Sequence, residues 1–103
     1  MIQFTKTIDE EYTIALDCTS LVPDGMSIES ATASAIDITN LDSDATAIVL
    51  ESATPVVSIQ GTNVLLWVQA GTANHKYEID VELSFTPGSP TPFLDTSIIM
   101  NVE

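Results

Sequence analysis

Arginine is absent from the 103 residues, and lysine occurs only at Lys6 and Lys76, against 15 aspartates and glutamates, for a net charge of −13. Most sequence-independent affinity for nucleic acid comes from neutralising phosphates, so a chain of this charge is not expected to bind DNA or RNA, and anionic membranes are disfavoured on the same ground. Cys18 is the only cysteine, which excludes an internal disulfide and gives no sign of an oxidising compartment. One histidine and one cysteine cannot assemble the usual zinc ligand set. No apolar run approaches the roughly 20 residues of a membrane helix. The start Met1-Ile2-Gln3-Phe4-Thr5-Lys6 has no basic segment followed by an apolar stretch, so a soluble domain without a signal peptide is expected.

What is present is enough to fold. Hydrophobic residues make up 45% of the chain, more than a disordered acidic tail carries, and the length suits one domain with one core. The strongest local pattern is Lys76 to Phe85, where Tyr77, Ile79, Val81, Leu83 and Phe85 alternate with Lys76, Glu78, Asp80, Glu82 and Ser84. Period two lines the apolar set along one face of a strand and the carboxylates along the other. The apolar run Val64 to Gln69 suits a strand covered on both sides, joined to the next as a hairpin through a loop where Gly71 and Asn74 take positive φ.

Further strands are expected at Phe4 to Thr7, Tyr12 to Cys18, Ser27 to Ile38, Ala47 to Leu50, Val56 to Ile59 and Thr96 to Val102. Turn-forming clusters separate them at Val22 to Gly25, Asn40 to Asp44, Ser52 to Pro55 and Pro87 to Pro92. Seven or eight short strands with regular turns make an all-β fold, a sandwich or barrel. In Ser27 to Ile38, Ala31, Ala33 and Ala35 fall on one face and Ile28, Ile36 and Ile38 on the other, so either both faces are partly apolar or a bulge shifts the register.

The residues able to carry chemistry have modest readings. His75 is a solvated loop histidine, since no Gly-x-Ser-x-Gly elbow or similar signature accompanies it, and no enzyme is expected. Cys18, on one face with Tyr12, Ile14 and Leu16, is a small core residue. Asp42 and Asp44, near Asp37 and Asn40, are the best calcium candidates, although the loop lacks the glycine and distal glutamate of an EF-hand and also reads as a plain Asx turn. Asp9-Glu10-Glu11 reads as a charged turn. Glu78, Asp80 and Glu82 read as a hydrated outward stripe, with a surface for a basic partner or, on an edge strand, a guard against pairing as the alternatives. Trp67 reads as a core anchor. Ile2, Phe4 and Phe93 are the candidate partner-facing residues, with residues 1–11 a docking segment and 12–103 the sandwich. No cofactor is expected.

The Trp67 strand, the loop Ala70-Gly71-Thr72, Tyr77 opening an alternating strand and the closing Ser97-Ile98-Ile99-Met100-Asn101-Val102 together resemble small tailed-phage virion proteins of the fibre-to-tail adaptor or head-to-tail accessory type. The start Ile2 to Lys6, the Tyr12 to Leu21 segment and Asp24-Gly25-Met26-Ser27-Ile28 before an Ala- and Thr-rich strand are similar too. The resemblance spans nearly the whole chain, and it departs in having no Trp in Tyr12 to Leu21 and no second glycine after Gly71. It implies a single immunoglobulin-like antiparallel β-sandwich without activity. Such a protein is present in multiple copies in a symmetric virion, made in the host cytoplasm, and contacts tail, neck, fibre or capsid proteins. A capsid decoration protein fits the same residues, and a calcium- or carbohydrate-binding module is the alternative.

Overall fold

A computed structural model describes residues 2–50, 56–87 and 93–103. Among these residues eight strands run in the order β1 (Ile2–Lys6), β2 (Tyr12–Asp17), β3 (Ser27–Asp37), β4 (Ser43–Asp44), β5 (Val56–Gln60), β6 (Asn63–Val68), β7 (Lys76–Thr86) and β8 (Phe93–Val102), with a 3-10 turn at Thr19–Leu21 after β2 and a four-residue α-helix, α1 (Thr46–Val49), between β4 and β5. They form a five-stranded sheet in the order β1-β8-β7-β3-β4 and a three-stranded sheet in the order β2-β6-β5. This is the expected all-β sandwich.

Alternation builds the core. Tyr77, Ile79, Val81, Leu83 and Phe85 of β7 are all buried, facing a layer that includes Leu16, Val64, Leu66 and Val68 of the smaller sheet. Each such side chain removed from water contributes roughly 1.5–3 kcal/mol. A bulge, one of the two readings left open for β3, is present. Its register against β7 shifts between Ile28 and Ser30, which pairs Ile28 with Phe85 on the same side as Ala31, Ala33 and Ala35, while Ile36 stays opposite Glu78 on the outer side.

Several expectations are corrected. β6 and β7 are not a hairpin, because they lie in different sheets; the hairpin is β5–β6, with Gln60 paired to Asn63 and Gly61 at φ 63° in the two-residue turn. Residues 69–75 instead carry the chain from one sheet to the other. Gly71 at φ 95° and Asn74 at φ 69° take the positive φ anticipated for them, joined by Ala70 at φ 46°. Ala47 to Leu50 is not a strand: a helical turn, with the Ile48 and Val49 amides both donating to the Ala45 carbonyl, buries Val49 and leaves Ile48 exposed. Residues 2–6 do not stand apart from the sandwich, since β1 pairs with β8 from Ile2–Ile98 to Lys6–Val102. That pair is parallel, so the sheet is not wholly antiparallel. Parallel neighbours need a long connection, and here the entire chain between the first and last strands supplies it. The turns at residues 52–55 and 88–92 lie outside the described residues.

Placing β2-β6-β5 on one side and β8-β7-β3-β4 on the other, with the first strand beside the last, is compatible with an immunoglobulin-like sandwich. One local feature agrees with that wiring. Tyr77, second residue of β7 and buried, accepts a hydrogen bond on its hydroxyl from the Thr72 amide at 2.8 Å, as in the tyrosine corner at the loop between the corresponding strands.

Candidate interaction face

The outer face of the five-stranded sheet gathers the acidic side chains of β7 with partners from both flanking strands. Glu82 stands between Thr32 of β3 and Asp95 of β8, and Asp80 between Ser34 and Ser97. Thr32, Ala33, Ser34, Asp80, Glu82 and Asp95 line an open trough of about 460 Å³. Glu78, next along the row, is half-buried rather than fully hydrated; its carboxyl is pushed above the usual range by burial first, then by the charge of Asp80 and a hydrogen bond with it, and by the charge of Asp42. β7 lies in the middle of the sheet, so this stripe does not guard an edge.

The remaining candidate residues are held in structural roles. His75 is not a freely solvated loop residue: its Nδ1 lies 2.7 Å from Oδ2 of buried Asp37, and its carbonyl accepts from the Val102 amide at 3.0 Å. The pair ties the loop before β7 to the end of β3. Cys18 is a buried free thiol, its pKa raised by burial and then by the charge of Asp17. Lys6, only 1% exposed, turns inward from β1 and donates from Nζ to the carbonyls of Thr7 at 2.7 Å and Ala70 at 2.5 Å. Burial lowers its pKa, while Glu10, Glu11 and Asp9 act in the opposite direction. The turn Asp9-Glu10-Glu11 is closed by the Thr7 amide donating to Oε1 of Glu10 at 2.7 Å.

Asp44 Oδ1 accepts from the amide of Thr46 at 3.0 Å and from its hydroxyl at 2.8 Å. Asp17 Oδ1 does the same with Thr19, at 2.9 and 2.5 Å, and both carboxyls are held below their ordinary range by these bonds. Asp42, at φ 57° in the β3–β4 turn, influences Glu78. Among the described residues no group of three or more metal-ligating side chains converges.

The three residues expected to face a partner part company. Phe93 is 61% exposed. Phe4 turns toward the core and meets the ring of Tyr12 edge-on, at 6.5 Å between centroids. The side chain of Ile2 lies outside the described residues. Trp67 is not a core anchor: Val64, Leu66 and Val68 take the inner side of β6, so Leu65 and Trp67 fall half-buried on the outer side, where the indole donates to Oε1 of Gln69 at 3.1 Å. β6 is therefore not covered on both sides.

Asp95, Thr32 and Ser34 were not marked by their sequence context. Asp95 shares parity with Ser97, Ile99 and Asn101, a signal masked because β8 begins at Phe93 rather than Thr96. No helix among the described residues is long and apolar enough to cross a membrane. Compared with known protein families, curated proteins and solved structures, the chain has no match.

Proposed function

We propose that the protein is a non-enzymatic structural subunit of a tailed-phage particle, an adaptor between tail or neck proteins and fibres. The observation that carries the non-catalytic part of this reading is how its polar groups are used. His75 clamps Asp37, Lys6 caps two carbonyls, and Asp17 and Asp44 close turns on threonines. Groups engaged in this way position backbone rather than substrate. What the surface offers is a broad acidic sheet face and exposed Phe93, features suited to contact with other proteins. The phage setting rests on the sequence resemblance.

Mass spectrometry of purified particles from cells that make the protein tests the setting. Recovery of the chain at a fixed stoichiometry supports it, and particles free of the chain overturn it. In a reconstruction, density at the tail or neck supports the adaptor, whereas density on the capsid lattice replaces that role with decoration.

A further inference from the structure

Among the described residues, one side of β3 has no strand partner along Ser30–Ser34. The Ala35 amide donates to the Thr46 hydroxyl and its carbonyl accepts from the Ala45 amide, so both point away from β7. Backbone direction alternates along a strand, so the amides and carbonyls of Ala33 and Ala31 point the same way. β4 covers only Ile36 and Asp37, and no strand among the described residues pairs with β3 along Ser30–Ser34 on that side. Natural sheets blunt such edges with lysine, proline, shortness or bulges. Here the bulge lies at Ile28–Ser30, leaving Ala31, Thr32, Ala33 and Ser34 with small uncharged side chains.

We propose that this edge docks an extended, lysine- or arginine-bearing segment of another protein, added as a sixth strand beside β3. The backbone edge supplies the hydrogen bonds and the outer face selects the charge. An added strand would lie two strand spacings, ~10 Å, from β7. Thr32 and Ser34 are short, so long cationic side chains on its outer side cross them to reach Asp80 and Glu82, with Asp95 beyond. A second copy of the chain is the wrong occupant, since it would bring its own acidic row and a charge of −13 toward the same charge. The inference does not depend on the particle setting, because its test uses the isolated chain.

The probe is a labelled, end-blocked peptide of about ten residues alternating lysine and threonine, long enough to span Ser30–Ser34, titrated by fluorescence anisotropy. Saturable one-to-one binding is expected. The same peptide N-methylated at alternate residues on its β3-facing side should not bind. Asp80→Asn with Glu82→Gln should weaken binding about tenfold. Ala33→Pro removes an amide that β7 does not use and should abolish binding while the melting temperature holds; if that variant does not fold, the N-methylated peptide on the native chain still decides. Absence of saturable binding, equal affinity for the N-methylated peptide, or equal affinity for a glutamate–threonine peptide each overturns the proposal.

Discussion

Tyr77 and Lys6 fix the same corner from opposite sides. The Tyr77 hydroxyl holds the Thr72 amide, the Lys6 ammonium holds the Ala70 carbonyl, and Gly71 sits between them, where an added Cβ would lie 2.9 Å from Val102 Cγ2 and 3.3 Å from Tyr77 Cε2. Tyr77→Phe keeps the ring and loses one hydrogen bond, an expected cost of about 1–2 kcal/mol in urea unfolding. Gly71→Ala should cost more, about 2–4 kcal/mol, because it adds a clash to a φ of 95° that alanine adopts poorly. Lys6 separates packing from polarity. Lys6→Met retains the buried stem and should cost about 1 kcal/mol, whereas Lys6→Ala also opens a cavity and should cost about 3 kcal/mol. Equal losses in the two lysine variants would mean that the stem contributes nothing.

At the scale of elements, the Asp-x-Thr sequences Asp17-Cys18-Thr19 and Asp44-Ala45-Thr46 end strands in the same way. Their lowered carboxyl pKa values set a sign. The unfolded chain binds more protons near pH 3.8, so the stabilisation is present above that value and is lost as pH falls through the lower folded pKa. Asp17→Asn and Asp44→Asn should therefore flatten the acid limb of a thermal-stability profile. With Asp44 engaged in this turn, calcium at millimolar concentration should raise the melting temperature no more than magnesium at equal ionic strength; a calcium-specific rise lost in Asp42→Ala/Asp44→Ala would restore the calcium-module reading.

The alternation from Lys76 to Phe85 was legible because burial on one side of a strand is written locally, and so was the Ala/Ile parity conflict in β3, which fits a bulge or two partly apolar faces equally well. The partner of each strand was not. β6 and β7 are adjacent in sequence yet separated between sheets, because a seven-residue loop containing Gly71 and Asn74 can cross a sandwich as readily as reverse a hairpin. Trp67 misled because an apolar run gives no parity cue to its inner side. The helical turn at Thr46–Val49 was hidden because four residues of mixed propensity are set by the Asp44–Thr46 turn and Val49 burial, both of which depend on the chain around them.

Across the whole molecule, charge acts against the fold. Fifteen carboxylates oppose two lysines, and on the five-stranded sheet Glu82 faces Asp95 directly across β7 and β8, a like-charge pairing that destabilises a sheet. Salt screens such exposed charges over roughly 8–10 Å at physiological ionic strength. The melting temperature should accordingly rise between low and moderate sodium chloride, and Asp95→Asn should both raise it in low salt, by an amount equivalent to about 0.5 kcal/mol, and reduce its salt dependence. Glu78 adds a pH signature of opposite sign to that of the turn aspartates. Its folded pKa lies above its ordinary value of 4.5, so in the interval just above that value the folded chain binds more protons than the unfolded one, and stability falls as pH rises through it. Glu78→Gln should remove that fall while leaving the acid limb governed by Asp17 and Asp44 in place. A sandwich that keeps a row of mutually repelling carboxylates on one sheet has a standing electrostatic cost, and a cationic partner on that face relieves it. Binding of the lysine–threonine peptide should thus raise the melting temperature most in low salt, where the unrelieved repulsion is greatest; a rise independent of salt would disconnect the acidic row from docking.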